Sequence, residues 1–345
     1  MAFTRALYYP FIDITNEHWL KNAILYWDEI NTIVPYSMEE PYIQPITSYL
    51  AEVGILKPYR VNPENNLIKI LEDDVIKYIN SNEGQQVLQM SFPTCESQRI
   101  HPEKMSYIIQ DELHKFMGED GWLHTDSGFA NFYMTLLANR ICESSGISPL
   151  TDNINTSKLN NYARLDSNEN NLNAWNYQDI SNRGQQLAQS LLLELSFNDI
   201  TISDETSIDD ILIFKRHYND ELCAFRQEVE RLTKHIPIDA SIEQIQQRVN
   251  DTYHNQFLPA YNNLKKSLKG LGIRTCINAV IKVSLASLGT TNILDLPTNF
   301  PLLVGAGISM ISSLVSYNKD KEEILRNNPY SYLLALQNGI RANTI

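Results

Sequence analysis

Four polar residues at the ends of predicted strands offer the chemistry of a catalytic or metal site. Asp13 and Asp152 close short apolar runs, and His124 and Asp126 lie in a predicted strand and turn at 122–126. In open α/β sheets, reactive side chains collect at the carboxyl ends of the strands. We therefore expect these four residues to share one edge of a sheet.

The motif His124-x-Asp126 has two interpretations. A carboxylate beside an imidazole can orient a general base, and both groups can bind a divalent metal. The chain would then be a metal-assisted hydrolase that uses these two residues together with Asp13 and Asp152. The alternative is that His124 and Asp126 belong to a surface turn, while Asp13 and Asp152 cap helices or form turns. The sequence leaves both interpretations open and identifies no cofactor beyond the candidate divalent metal.

Several enzyme classes are excluded because their motifs are absent. The sequence contains no G-x-x-x-x-G-K-[ST], G-x-G-x-x-G, H-E-x-x-H or G-x-S-x-G. These absences argue against P-loop NTPases, dinucleotide enzymes, zincins and α/β-hydrolases. A formal net charge of −13 argues against a general nucleic-acid-binding face, because phosphate contacts need clustered Lys and Arg.

The composition is that of a globular protein. With 345 residues, of which 43% are hydrophobic, the chain is long enough for two domains or for one large domain with an appendage. Its four Cys residues lie far apart without zinc-binding spacing, so we expect reduced thiols and a cytoplasmic location. The first residues show no export signal, which supports the same expectation.

The first thirty-five residues predict a β-α-β unit. The apolar run 6–12 predicts a strand, and 13–16 a turn that precedes a helix starting at Glu17. The helix carries an aromatic stripe that continues at helical spacing to Val34, and 33–35 begins a second strand. Asp28 lies at the edge of that stripe, where we expect a structural ion pair with Arg5 or Arg60.

Similar patterns predict the rest of an α/β, or α+β, domain at 1–203. Helices are expected at 45–53, 67–79, 101–117 and 127–142, and extended segments at 55–61, 122–126 and 149–152. The Asn-rich stretch 153–178 is typical of a long surface loop.

An α-helical region with helical hairpins follows at 204–345. Residues 204–271 predict a long helical hairpin, which starts with a capping box at Ser207 and Asp210 and is interrupted at Pro237 and Pro259. Residues 272–345 predict an apolar helical hairpin and a C-terminal helix that docks back. The apolar runs within 272–317 are shorter than the roughly 20 residues of a membrane span, which favours a buried hairpin. A hairpin that inserts conditionally into a membrane, as in a toxin-like effector, and a lipid-facing interfacial element are the alternatives.

Several segments resemble an uncharacterised bacterial domain family. The segments are A-L-Y-Y-P-x-I-D-I at 6–14, W-L-K-x-A-x-L-Y-W-D at 19–28, I-V-P at 33–35, Y-M-T-L-L-A at 133–138, Thr151-Asp152, and S-I-D-D-I-L-I-F-K-R-H-Y-N-D-E-L-C-A-F-R at 207–226. Lys215 departs mildly from the family pattern, which has Arg at that position. The resemblance supports the domain layout and implies no activity.

Three hypotheses of function follow. The first is a cytoplasmic bacterial interaction or effector protein, in a defence or stress system, whose helical C-terminal region binds a partner protein or a membrane. The second is the metal-assisted hydrolase, and the third is a structural subunit of an oligomer. The helical hairpins and the absence of a catalytic motif favour the first, so whether the chain is an enzyme stays open.

Overall fold

The N-terminal half forms a parallel sheet and the C-terminal half forms helices. A computed structural model describes residues 4–80, 97–152, 206–237, 242–270 and 328–337, together with most of 188–196 and a few single positions. The strands are β1 (Arg5–Tyr8), β2 (Glu29–Pro35), β3 (Leu56–Val61), β4 (Ser97–Ile100), β5 (Leu123–Asp126) and β6 (Ser148–Leu150).

Most of the predicted helices are confirmed. The described helices are α1 (Glu17–Tyr26), α2 (Pro45–Glu52), α3 (Asn66–Asn80), α4 (Tyr107–Glu112), α5 (Ser127–Ser145), α6 (Ile208–His217), α7 (Asn219–Thr233), α8 (Ile242–Thr252), α9 (Leu258–Gly270) and α10 (Ser331–Gln337). The single helix predicted at 101–117 is wrong. A 3₁₀ helix, Pro102–Lys104, ends at the extended residue Met105, and Ser106 caps α4 by accepting the N–H of Ile109.

The four-stranded sheet has the order β3-β2-β1-β6, and all its strands are parallel. This confirms the predicted β-α-β unit. Ala6 and Tyr8 of β1 pack in one core with α1, whereas Leu7 and Tyr9 pack on the other face with α3 and α5. β2 and β6 lie on either side of β1. The chain reaches β2 through α1 on one face of the sheet and β6 through α5 on the other. The carboxyl ends of β1 and β6 therefore form a topological switch point, where sheets of this kind bind ligands.

Helix α1 ends earlier than its aromatic stripe predicted. Trp27 has extended dihedral angles, its N–H donates to the carbonyl of Ala23, and the N–H of Asp28 donates to Thr4 at 2.9 Å. The chain then enters β2, which begins at Glu29 although the helical spacing of Ile30, Ile33 and Val34 predicted a strand only from Ile33. β-Branched side chains favour a buried strand, which explains the earlier helix end.

The C-terminal helices show the predicted cap and the predicted interruption. Ser207 and Asp210 form the capping box of α6. A π-helical turn, Tyr253–Phe257, separates α8 from α9 immediately before Pro259. Since Pro has no N–H and its ring clashes with the carbonyl four residues earlier, the wider turn accommodates it.

The described C-terminal helices share a hydrophobic core with α1. The ring of Phe225 lies 6.4 Å from that of Tyr26 and 6.4 Å from that of Tyr332. The predicted docking of the last helix is therefore confirmed. Antiparallel pairing within the hairpins and the domain boundaries stay predictions, and the segments 153–178 and 272–317 lie outside the described residues. Within the described residues, no helix is both long and apolar enough to cross a membrane.

Candidate functional site

Asp13 and Asp152 lie near one phenol at the switch point. The hydroxyl of Tyr8, at the end of β1, donates to Oδ1 of Asp152 at 2.9 Å. Burial raises the pKa of Tyr8, and the charges of Asp152 and Asp13 raise it further. At the carboxyl edge of the sheet, Asp152 therefore contacts Tyr8, and Asp13 acts on the same phenol through its charge.

Asp13 is fully used by the loop that leads into α2. Its carboxylate accepts the N–H groups of Ile43 and Gln44 at 2.9 Å each, and its own neighbour Ile14 donates at 3.0 Å. The hydroxyl of Thr47 donates to it at 2.5 Å. A carboxylate that accepts four hydrogen bonds holds the loop at the start of α2 in place, so we assign Asp13 a positioning role.

Asp152 is the better acid–base group of the two. Burial raises its pKa, although the hydrogen bonds from Tyr8 and from its own N–H partly oppose this. Half-buried carboxyls with a raised pKa at a switch point have the properties of a general acid or base. The sequence located this residue correctly at the strand end but could not indicate its Tyr8 partner.

His124 and Asp126 lie elsewhere, on the two-stranded antiparallel sheet of β4 and β5. Asp126 caps α5 by accepting the N–H of Gly128 at 2.6 Å. Nε2 of His124 lies 2.9 Å from Oδ1 of Asp120, and the hydrogen bond from His124 is the largest cause that lowers the pKa of Asp120 to about 2. His124 therefore pairs with Asp120 instead of Asp126. Gly118 lies directly against this pair, since a Cβ at position 118 would lie 2.6 Å from Nε2 of His124.

Within residues 4–80, 97–152 and the described C-terminal segments, no three His, Cys, Asp or Glu side chains are placed to hold a metal ion.

A groove of about 350 Å³ opens at the carboxyl ends of β2 and β3. The guanidinium of Arg60 fixes one wall by donating to the carbonyls of Pro35, Met38 and Glu39. The sequence did not indicate this groove, because its lining comes from three segments that are distant in sequence. The lining residues are Tyr36, Asn62, Pro63, Glu64, Pro102, Glu103, Tyr107 and Gln110.

Large exposed apolar side chains surround this edge of the molecule. Tyr36 is 67% exposed and Tyr107 is 62% exposed. Phe11, Ile43 and Ile108 are also exposed, and they lie after β1, after β2 and beside Tyr107 on α4. Clustered exposed apolar groups are typical of an interaction surface.

An ion cluster at the opposite end of β2 joins the two halves of the chain. Arg226 binds Asp28 through both terminal nitrogens, at 2.8 and 2.9 Å, and Nζ of Lys215 lies 2.9 Å from the same carboxylate. Burial lowers the pKa of Lys215 to about 8, against the opposing effect of Asp28. The predicted partners Arg5 and Arg60 are wrong, since Arg5 pairs with Glu29 and Arg60 holds the loop after β2.

Arg226 and Lys215, together with Tyr332, also cap the C-terminal end of α1. The carbonyls of Leu25, Tyr26 and Trp27, at the end of the helix, accept hydrogen bonds from Tyr332, Arg226 and Lys215 respectively. A helix leaves its last carbonyls without partners of its own, and its C-terminus attracts positive charge. The last turn of α1 contains no basic residue. The C-terminal helices therefore supply the hydrogen-bond donors for its last carbonyls and the positive charge.

Lys104 is a buried cation that sequence reasoning missed. The residue is 3% exposed, and burial alone lowers its pKa to about 7. Among the described residues no carboxylate pairs with its ammonium group. Its carbonyl accepts the hydroxyl of Tyr133 at 2.5 Å, which holds the residue against α5.

Comparison with known proteins gives one match. No curated protein and no solved structure matches the chain. The N-terminal signature at 6–14 lies outside the matched range, whereas the stretch 207–226, with Lys215 and Arg226, lies inside it. Residues 174–341 match the model of a family of unknown function, DUF6236.

Proposed function

We propose that this chain is an interaction protein that binds a segment of a partner protein at the carboxyl edge of its sheet. The sequence placed the binding surface in the C-terminal helices, but the described parts of those helices bury their apolar faces in the chain's own core. The proposed surface therefore lies in the N-terminal half. A role in a bacterial defence or stress system, and contact with a membrane through 272–317, stay part of the wider proposal.

The observation that carries this proposal is the pair Tyr36 and Tyr107. Both rings are largely exposed, yet they line the same groove, Tyr36 from the turn after β2 and Tyr107 from α4. Tyr residues presented on a firm scaffold are frequent anchors of protein interfaces, because they bury a large area at a small entropic cost.

The double variant Tyr36→Ser, Tyr107→Ser tests this proposal. We expect chemical cross-linking in a lysate of the native host to recover a partner with the wild-type chain and about tenfold less of it with the variant, as for loss of interface anchors. Ile213→Ser is the matched control, since Ile213 is an exposed apolar residue on α6. An unchanged partner set would contradict the proposal, and recovery of a second copy of the chain would favour the structural oligomer.

A hydrolase that uses Asp152 is the second candidate, because this carboxyl has a raised pKa and accepts a hydrogen bond from Tyr8 at the switch point. We would then expect Asp152→Asn to lower a hydrolytic rate by about a hundredfold or more, as for loss of a general base. Turnover of ester and phosphodiester substrates, with and without Mg²⁺, measures this. Asp126→Asn, which alters a helix cap, serves as control, and equal rates for both variants would dismiss the hydrolase.

A further inference from the structure

We infer that the groove at the carboxyl ends of β2 and β3 binds an extended, proline-containing segment that carries Lys or Arg residues. This inference rests on the proposed function and names the chemical class of the partner.

The apolar lining of the groove suits a polyproline II helix. The exposed rings of Tyr36 and Tyr107 line the groove together with Pro102 and the buried Pro63. A polyproline II segment has no internal hydrogen bonds and inserts its prolines between aromatic side chains. It also needs donors for its carbonyls. Asn62 can supply one, because its Oδ1 accepts the N–H of Glu64 and its amide nitrogen remains to donate.

The charges of the groove select a cation. Glu64 and Glu103 line it, and no Lys or Arg is among its lining residues in the described part of the chain. Oε2 of Glu103 accepts the N–H of Ser37 at 2.9 Å, so this carboxylate is held in place at the groove. A Lys or Arg of the partner can meet the two carboxylates and the faces of the Tyr rings together. The net charge of −13 favours the approach of the same kind of partner.

The groove is formed before any ligand arrives. Arg60 holds the loop after β2, and Nδ1 of His101 caps the 3₁₀ helix by accepting the N–H of Glu103 at 3.2 Å. The side chain of Gln110 donates to the carbonyls of Pro102 and Met105 at 2.9 Å each. A preformed site loses little entropy on binding, and so does a polyproline II segment.

Fluorescence anisotropy with labelled peptides and the full chain tests this inference. The probe is a short peptide of repeated Pro-Pro-Lys, compared with peptides of repeated Pro-Pro-Glu and Gly-Ser-Lys. We expect the Pro-Pro-Lys peptide to bind and the other two to bind at least about tenfold more weakly. The variant Tyr36→Ala, Tyr107→Ala should weaken binding of the first peptide by about tenfold or more.

Two matched substitutions separate local from general charge. Glu64→Gln should weaken binding about threefold at low salt. Glu52→Gln changes the net charge equally at an exposed position of α2 and should leave binding unchanged.

Equal binding of the Pro-Pro-Lys and Gly-Ser-Lys peptides would overturn the polyproline assignment, and equal binding of the Pro-Pro-Glu peptide would overturn the charge assignment. If no peptide binds while the Tyr-dependent cross-linked partner persists, this inference fails and the proposed function stands. If that partner is also absent, both fail.

Discussion

Replacing Lys104 with Met is expected to stabilise the folded chain by about 4–5 kcal/mol at pH 7, because each pKa unit corresponds to about 1.4 kcal/mol. Folding buries this ammonium without a carboxylate partner in the described part of the chain, and its pKa falls from 10.5 to about 7. Met has a similar length and no charge to desolvate. Urea unfolding of the wild-type chain and the variant measures the difference.

The gain should depend on pH in one direction. The unfolded chain holds the Lys104 proton up to about pH 10.5, whereas the folded chain releases it near pH 7. The penalty is therefore complete below pH 7, shrinks as the pH rises from 7 to 10.5, and disappears above that range. Lys69→Met removes an exposed charge from α3 and should change stability by less than about 0.5 kcal/mol. A Lys104 variant that is less stable at every pH would show that the ammonium has a favourable partner.

Asp28→Asn is expected to destabilise the chain by about 3 kcal/mol, the lower end for a broken buried pair, because Asp28 itself is half exposed. The substitution leaves Lys215 and Arg226 as two buried cations side by side. Glu29→Gln is a close control, since Glu29 also bridges two cations, Arg5 and Lys57, but both of these are exposed. Its cost should stay below about 1 kcal/mol.

The acid limb of the stability curve provides an independent check. Burial would raise the pKa of Asp28, but the hydrogen bonds and charges of Arg226 and Lys215 outweigh burial and lower it. The carboxylate therefore contributes stability above its unfolded pKa of about 4, and this contribution is lost as the pH falls through the lowered folded value. The Asn variant should lack this part of the acid transition. Equal losses for Asp28→Asn and Glu29→Gln would show that the burial of Lys215 and Arg226 does not matter.

Local patterns predicted part of the architecture of the N-terminal half. Short apolar runs separated by amphipathic segments predicted the β-α-β unit, and the rule for strand ends placed Asp13 and Asp152 at the carboxyl edge of the sheet. The same rule also placed His124 and Asp126 there, which is wrong, because both lie on a separate antiparallel sheet. The helix end at Tyr26 was missed because the residues from Ile30 to Val34 fit both a helical period and a buried strand. The residues form a strand because they pair with β1 and β3, and this pairing cannot be read from the sequence of the segment alone.

The parts of the candidate site that were missed depend on contacts between distant residues. Asp28 and Arg226 are 198 residues apart in sequence, so charge type alone suggested nearer partners. The groove is assembled from loops after β2 and β3 and from the segment that leads into α4, and each loop is unremarkable by itself. Lys104 follows a polar Pro-Glu dipeptide, and nothing in its neighbourhood signals burial. The imidazole of His124 pairs with the carboxylate of Asp120, which precedes β5 by a turn.

The cap that Tyr332, Arg226 and Lys215 provide for α1 makes folding of the two halves interdependent. Without them, the last carbonyls of α1 would face an apolar interior with no donors, and the first strand pairing of β2 begins only two residues later. The C-terminal helices, which lie within the family match, therefore support the sheet that precedes them by completing the end of α1. A substitution that loosens α7 or α10 will therefore weaken the sheet from which the groove is built, although the groove lies at the other end of β2.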